Sequence, residues 1–427
     1  MCQCDCANQM KSNSSPIFNT QLLILFFSII FNLQQANASA PGNETDRLAL
    51  LKFKQGITND PFGVLNSWND SVPFCKWFGI TCSPRHHRVA SLVLQSHKLM
   101  GSIPPHIGNL SFLKVLDLQN NSFSGQIPPQ LGNLFRLQQL FLNNNTLGGE
   151  IPANLSRCSK LRSIILQVNN LSGKIPSELG SLAKLEELAL GGNNLTGRIP
   201  VSLANLTSLV FFSVGRNNLV GNIPNEFGRQ TSLEFFSVGG NHLSGNIPPS
   251  LLNISSVKTF SFTMNQLHGT LPENMGLALP NLQIFLASIN NFSGTIPESL
   301  SNASQLQILE LSRNKFTGQV PSTLGNLESL IRLRLAHNHL GSNSTTDWLF
   351  LKNYTNLDIL DLDDNNFGGV LPVSIGNLST DLSRLYLGGN QISGNIPTAL
   401  DNLVNLNLLT LDYNLFRGTI PPFFDKL

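Results

Sequence analysis

The sequence predicts an α/β repeat protein, a solenoid of stacked coils with a parallel sheet along one side. The first observation behind this is an asparagine that recurs at a fixed step. Asn121, Asn145, Asn169, Asn193, Asn217, Asn241 and Asn265 lie 24 residues apart, and Asn290, Asn314, Asn338, Asn365, Asn390 and Asn414 follow with steps of 25, 24, 24, 27, 25 and 24. His97 fills the same slot one period earlier, which makes fourteen repeats. The second observation is the alternation just before each asparagine, as in Leu116-Asp117-Leu118. That is the period-two signature of a short strand with leucines inward and Asp117 outward. The third is length: a compact fold of 427 residues divides into domains, whereas an array grows by stacking.

Taken in chain order, the first element is a leader. Lys11 precedes the apolar core Leu22–Phe31, and Ala36-Asn37-Ala38 and Ala38-Ser39-Ala40 offer small-residue cleavage sites. Residues 1–40 therefore read as a secretory signal peptide, its core being short of the roughly 20 residues needed to span a bilayer. Cleavage removes Cys2, Cys4 and Cys6 and leaves Cys75, Cys82 and Cys158. In an oxidising compartment Cys75 and Cys82 form the expected disulfide, being close together outside the repeats. Cys158 takes an inward repeat position and reads as a small buried hydrophobe. Sequons are frequent, among them Asn109, Asn120, Asn144, Asn154, Asn205, Asn253 and Asn302; Asn120 and Asn144 would point from the inner face, where a glycan would obstruct binding.

Residues 41–88 form an N-terminal cap, needed because a solenoid end exposes apolar edge. Thr45 or Asp46 is expected to cap a helix running to about Ile57, with Leu48, Leu51 and Phe53 making the apolar contacts. Trp68 and the turn Cys75-Lys-Trp77-Phe-Gly79-Ile-Thr-Cys82 follow.

Residues 89–427 hold the repeats. In the unit Leu113-Lys-Val-Leu116-Asp-Leu118-Gln-Asn-Asn121-Ser-Phe123-Ser-Gly125-Gln-Ile127-Pro128, the strand ends where the chain turns at Asn121. An asparagine both donates and accepts, so it satisfies backbone groups which the corner leaves unpaired. Stacked asparagines make a ladder. Gly125 permits a strained backbone, and Ile-Pro begins an extended segment on a second face. Thirteen spacings of about 4.8 Å give an inner surface on the order of 60 Å along its arc. After Asn338 the frame is interrupted by Gly341-Ser-Asn-Ser-Thr-Thr-Asp-Trp348-Leu-Phe-Leu351, expected to bulge from the outer side. The final repeat breaks off at Pro421-Pro-Phe-Phe-Asp-Lys-Leu427 without a cap, so a truncated array is expected.

The frame LxxLxLxxNxLxGxIPxxLgxL, almost unbroken from Leu92 to Pro421, resembles the plant-type leucine-rich-repeat receptor kinases. The cap carries the same resemblance in Asp46-Arg-Leu-Ala-Leu-Leu-Lys-Phe-Lys, Leu65-Asn-Ser-Trp68 and the Cys75–Cys82 turn. The insert is similar to that of the subgroup sensing bacterial elongation factor and similar microbial patterns. The resemblance implies a right-handed leucine-rich-repeat solenoid with its sheet on the concave face and extended and 3-10 segments on the convex side. It further implies an extracellular ectodomain that binds a peptide, protein or small hormone, works with a leucine-rich-repeat co-receptor kinase, carries N-linked glycans and needs no cofactor. Such receptors continue into a membrane span and a kinase. This sequence has no kinase Gly-rich loop, His-Arg-Asp or Asp-Phe-Gly, so no phosphoryl transfer is expected of it. The rival reading is a secreted inhibitor of a pathogen enzyme, similar to the polygalacturonase-inhibiting proteins.

Ligand contacts are expected among outward strand positions. One column runs Val93, Asp117, Phe141, Ile165, Ala189, Ser213, Ser237, Ser261, Leu286, Glu310, Arg334, Asp361, Tyr386, Thr410. An outward aromatic has no core to fill, which singles out Phe141, Phe211, Phe235 and Tyr386. Charges gather late, with Arg313, Arg332 and Arg334 just before Asp358, Asp361, Asp363 and Asp364. Such rows either orient a charged ligand or neutralise one another across the sheet. A net charge of +2 gives no case for nucleic acid. Asp361-x-Asp363-x-Asn365 lacks the glycine and glutamate of a calcium loop, and His337 and His339 lack further metal ligands.

Overall fold

The computed structural model describes residues 41–352 and 354–422. The leader reading of residues 1–40 falls outside them.

The array is built on one 15-stranded inner sheet. Its first strand, Ile80–Cys82, runs antiparallel to Val89–Val93, and every later neighbour is parallel, from Val115–Asp117 to Leu408–Thr410. Fourteen parallel strands thus stand in the order of the fourteen frames. Most coils then cross to a second set of strands, such as Ser122–Gln126, and a 3-10 turn such as Pro129–Asn133 before returning. The second-face strands fall into groups of five, seven and three. The insert separates the last two, lying between His339–Leu340 and Gly368–Val370.

The asparagine ladder is present coil by coil. Asn217 Nδ2 donates to the carbonyls of Val214 (3.0 Å) in its own coil and Leu190 (3.1 Å) in the preceding one. Its Oδ1 accepts from the Leu195 N–H at 3.0 Å. Asn145, Asn169, Asn193, Asn241, Asn265, Asn290, Asn314, Asn338, Asn365 and Asn390 repeat this set. Asn414 closes the series on Leu387 and Ile392. At the first rung, Asn121 Oδ1 accepts from both His97 and Leu99. His97 itself supplies no amide and sets its ring edge-on against Phe78 of the cap, 5.2 Å between centroids.

Between the two faces runs one continuous apolar core from Ala49 to Leu406. Its middle is a phenylalanine spine in which Phe212, Phe236, Phe260, Phe262 and Phe285 touch in sequence. Coils longer than 24 residues absorb the excess behind the sheet. The 25-residue coil ending at Asn290 replaces the 3-10 turn with one α-helical turn, Met275–Ala278.

The cap differs from expectation in two respects. The helix Pro41–Gln55, α1, starts before Thr45, so neither Thr45 nor Asp46 caps it. Asp46 is instead fully buried and grips Arg88 through two contacts, Oδ2 to Nε at 2.8 Å and Oδ1 to Nη2 at 2.7 Å, while Oδ2 also takes the Val89 N–H. A buried carboxylate needs such partners, and it ties the helix to the first repeat strand. Phe53 is buried as expected and Leu51 packs partly buried against the core, but Leu48 is half exposed and Ala49 and Leu50, on the face turned to the repeats, are buried instead. Phe53 meets Trp68, and Trp68 stacks on Trp77. Cys75 and Cys82 are disulfide-bonded with Cα atoms 5.4 Å apart. Cys158 is buried, its thiol pushed up to about 11 by desolvation.

The insert does not bulge. Ser344 and Asp347 form a capping box on the turn Thr345–Trp348, and Asp347 also accepts from the N–H groups of Ser342 and Gly368. Trp348 and Phe350 are buried against Phe367, with the Trp348 indole donating to the Gly368 carbonyl at 2.8 Å. Two large aromatics give the extra residues a core of their own, so they fold in rather than loop out.

Candidate functional site

Strand register fixes which side chains share the inner face. The pairings Asp117↔Phe141, Ser213↔Ser237, Glu310↔Arg334, Arg334↔Asp361 and Asp361↔Tyr386 reproduce the outward column expected from the repeat. Phe211 and Phe235 stand two residues earlier on their strands, hence on the same face. Their rings stack 4.4 Å apart at 7°. Phe141 lies several coils nearer the cap and Tyr386 several coils nearer the other end, so the four aromatics do not form one cluster.

The late charges are brought together, but differently from the two-row expectation. Arg332 and Arg334 both turn back to Glu310 of the preceding coil, at 3.3 and 3.8 Å. Asp361 lies opposite Arg334 yet has no ion pair with it; burial, then the nearby Asp363 charge, raises its carboxyl to about 6, and Arg334 only partly offsets this. Asp363 accepts from the Gly388 N–H (2.6 Å) and the Thr410 hydroxyl (2.9 Å) and is also raised, chiefly by desolvation. Asp358 sits at the sheet edge, bonded to Ser383. Asp364 pairs with His337 at 2.8 Å. Arg313 is not on a strand; it occupies the corner just before a ladder asparagine, with φ of 57°.

The inner face also holds a trough that charge and aromatic patterns did not single out. It has a volume of about 470 Å³ and spans the coils from Gln167 to Glu310. Its floor consists of Ser213, Ser237 and Ser261 in the outward column and Gly191, Gly215, Gly239 and Thr263 in the next. The bare floor is not required by the fold, since other coils carry Gln119, Asn143, Gln167, Ser312 and Asp363 where these glycines stand. The Thr263 hydroxyl in this floor has no partner among the described residues. Phe211 and Phe235 flank the floor on one side.

The other rim is unusual. Val168, Arg216, Met264 and Ile289 each precede a ladder asparagine with φ between 54° and 57°. Side chains in this left-handed region cost roughly 1–2 kcal/mol each, and β-branched ones are outliers there. Val168, Met264 and Ile289 are nonetheless 54%, 55% and 42% exposed. The same corner has positive φ in other coils, at Asn120, Asn144, Arg313 and His337, so the strain belongs to the repeat; what sets this rim apart is exposed apolar side chains beside a bare trough. The signal was readable in the run Gly191, Gly215, Gly239, three consecutive coils without a side chain in a column where the only other glycine is Gly388.

Comparison with known proteins agrees with this architecture. Residues 43–83 match the leucine rich repeat N-terminal domain, and eight segments between residues 112 and 403 match the leucine rich repeat. The chain is 64% identical over 407 residues to the LRR receptor-like serine/threonine-protein kinase EFR of Arabidopsis thaliana, covering 94% of this chain and 39% of that protein. Among solved structures it is similar to the complex of PEPR1 with AtPEP1 (TM-score 0.67, 32% identity, 90% of this chain and 64% of that one). It is also similar to the Arabidopsis receptor kinase HAESA in complex with the peptide hormone IDA and the co-receptor SERK1 (TM-score 0.58, 29% identity, 90% and 80%). The chain thus spans well under half the length of its curated relative, and no described helix is long and apolar enough to cross a membrane. It belongs to the plant leucine-rich-repeat receptor-like kinases and carries the leucine rich repeat N-terminal domain and the repeats.

Proposed function

We propose that this chain is the ligand-binding ectodomain of a plant receptor-like kinase, exposed outside the cell, and that it binds an extended peptide across its inner face. The observation that carries this reading is the trough: a floor of serine and glycine open over several coils, stacked phenylalanines on one side and strained apolar side chains on the other. A peptide backbone fits such a floor because it brings its own donors and acceptors to Ser213, Ser237, Ser261 and Thr263. Apolar ligand side chains pack on Phe211, Phe235 and Met264, and Arg216 receives an acidic one. The late patch of Arg332, Arg334, Asp361 and Asp363, with Tyr386, extends the footprint toward the last coils; Phe141 extends it toward the cap, and Arg313 and Asp358 lie at its margins. The peptide complexes of PEPR1 and HAESA support the ligand class, and the SERK1 complex of HAESA supports a co-receptor as second partner. The function is binding, with kinase activity residing in the remainder of the full-length relatives. Domain limits follow the same reading: leader 1–40, cap 41–88, repeats from 89.

The test exploits the tolerance of the column. Because Phe141 and Tyr386 occupy it elsewhere, Ser237→Tyr fills the trough without disturbing the fold. Peptides selected on the secreted chain from a displayed random library are expected to bind Ser237→Tyr at least about tenfold more weakly, a change of ~1.4 kcal/mol. Equal binding to both proteins would remove the trough from the proposal.

A further inference from the structure

We propose that one flank of the first coils is a binding site for a linear acidic polysaccharide, a polymer with one uronic acid carboxylate per sugar ring. This flank is the edge by which each coil enters the inner sheet. Its register is set by backbone bonds in series: Lys114 N–H to the Ala90 carbonyl, Gln138 to Lys114, Arg162 to Gln138 and Glu186 to Arg162, at 2.7–2.8 Å. Two residues before these positions stands a parallel column, Arg88, Phe112, Arg136, Lys160, Lys184. The guanidinium carbons of Arg136 and Arg88 lie 3.8 and 4.8 Å from the Phe112 ring centroid, so the column begins as a contiguous aromatic and cationic surface. Phe135, next to it, is 58% exposed.

Charge on this flank is uncompensated where the row is basic. Arg88 is held by Asp46 and Arg162 by Glu186. Lys114, Arg136, Lys160 and Lys184 are all exposed, and no described carboxylate forms an ion pair with them. Arg136, Lys160 and Lys184 occupy three consecutive coils, one strand spacing of about 4.8 Å apart. Like charges stacked in neighbouring rows repel, so folding alone does not favour the arrangement. Further along, the same column holds only serine, asparagine and glutamine from Ser208 to Asn356, and then Asp381. The basic stretch is therefore local.

Sequons point to the same window. The column three residues further back carries sequons at Asn109, Asn205, Asn253 and Asn302. Between the first two stand Asn133 (followed by Leu-Phe), Arg157 and Ser181, none of which accepts a glycan. The sequon at Asn154 lies behind them, on the outer turn Ala153–Arg157. In that column the flank is thus free of sequons over the three coils that carry Arg136, Lys160 and Lys184.

Charge and aromatic exposure select the class of polymer. An extended peptide returns side chains to one face every two residues, about 6.7 Å, out of step with rows about 4.8 Å apart. A polyuronate brings a carboxylate on each ring to the row of cations, and the exposed Phe135 offers its sugar rings an apolar face. An anionic membrane asks for a broad basic surface rather than a single row.

The experiment measures binding of the secreted, glycosylated chain to sodium polygalacturonate, with fully methyl-esterified polymer, poly-glutamate and phosphatidylserine vesicles as comparisons. Wild-type chain is expected to bind the free-acid polymer with affinity that falls as salt rises. Arg136→Gln/Lys160→Gln/Lys184→Gln is expected to weaken binding at least about tenfold at unchanged melting temperature. Lys174→Gln/Arg198→Gln/Lys315→Gln, which removes the same charge elsewhere, is expected to leave it unchanged. No binding, equal loss in both triple variants, equal binding of the esterified polymer, or stronger binding to poly-glutamate or vesicles would each overturn the proposal.

Discussion

Replacing Asn217 by alanine tests the ladder in the middle of the array, and the structure assigns its cost unequally. The Asn217 amide donates to Leu190 and Val214, but each carbonyl keeps a second donor: Asn193 for Leu190 at 3.0 Å and Asn241 for Val214 at 3.1 Å. The Leu195 N–H has no such reserve, since Asn217 Oδ1 is its side-chain acceptor at 3.0 Å and Leu195 is fully buried. An orphaned buried donor costs about 1–3 kcal/mol and a typical net hydrogen bond about 1 kcal/mol, so the expected loss is about 2–4 kcal/mol. Asn217→Asp is expected to lose more, because a carboxylate sets an acceptor against two carbonyl oxygens and a negative charge in a buried site. Equilibrium urea unfolding measures the loss. Amide exchange at Leu195 reports the same event locally, which matters where a long array unfolds in parts. A loss under about 0.5 kcal/mol with unaltered Leu195 exchange would refute the claim that the ladder rests on this bond.

Three further outcomes are expected. Val168→Gly relieves a β-branched residue of φ 57° and should stabilise the chain by up to about 1 kcal/mol, read as a higher melting temperature; a lower one would mean the left-handed corner is unstrained. Asp46→Ala strands the Arg88 guanidinium and the Val89 N–H and should cost about 3 kcal/mol, read by thermal melting and by earlier proteolysis in the cap. Asp361 has its folded carboxyl raised to about 6, so the folded chain holds this proton more tightly than the unfolded one. Its contribution therefore falls as pH rises from the ordinary carboxylate range through about 6, and Asp361→Asn should flatten stability between pH ~4 and ~6 by on the order of 1 kcal/mol, allowing for partial exposure.

The repeat frame made most of the fold legible, because each coil restates the same rule. Thirteen asparagines at one slot, leucines in alternation and a glycine after the corner leave few alternatives. The disulfide and the outward column were legible for the same reason: local spacing and strand register determine them. The cap was read less well. A capping residue and a buried ion-pair partner look alike in sequence, and Arg88, the partner of Asp46, lies 42 residues away. The insert was misjudged because its polar start, Gly341-Ser-Asn-Ser, resembles a loop; only contact of Trp348 and Phe350 with Phe367 of the next coil draws it inward. At the site, attention to large and charged residues passed over the glycines, since a trough is recognised by what neighbouring coils have and these lack. The turn of Arg332 and Arg334 toward Glu310 rather than Asp361 depends on rotamers, which no column of letters encodes.

The three departures from the 24-residue step are taken up behind the inner sheet, by the α-helical turn Met275–Ala278 in the first, by the folded insert in the second, and by one extra residue after the 3-10 turn Val373–Asn377 in the third. The concave surface therefore behaves like graph paper: the coil number gives one coordinate and the strand position the other, whatever happens on the far side. A segment from one ladder asparagine to the next can then be exchanged as a cassette, carrying its own row of contacts while its neighbours keep theirs. Receptors assembled this way can change what they recognise one row at a time.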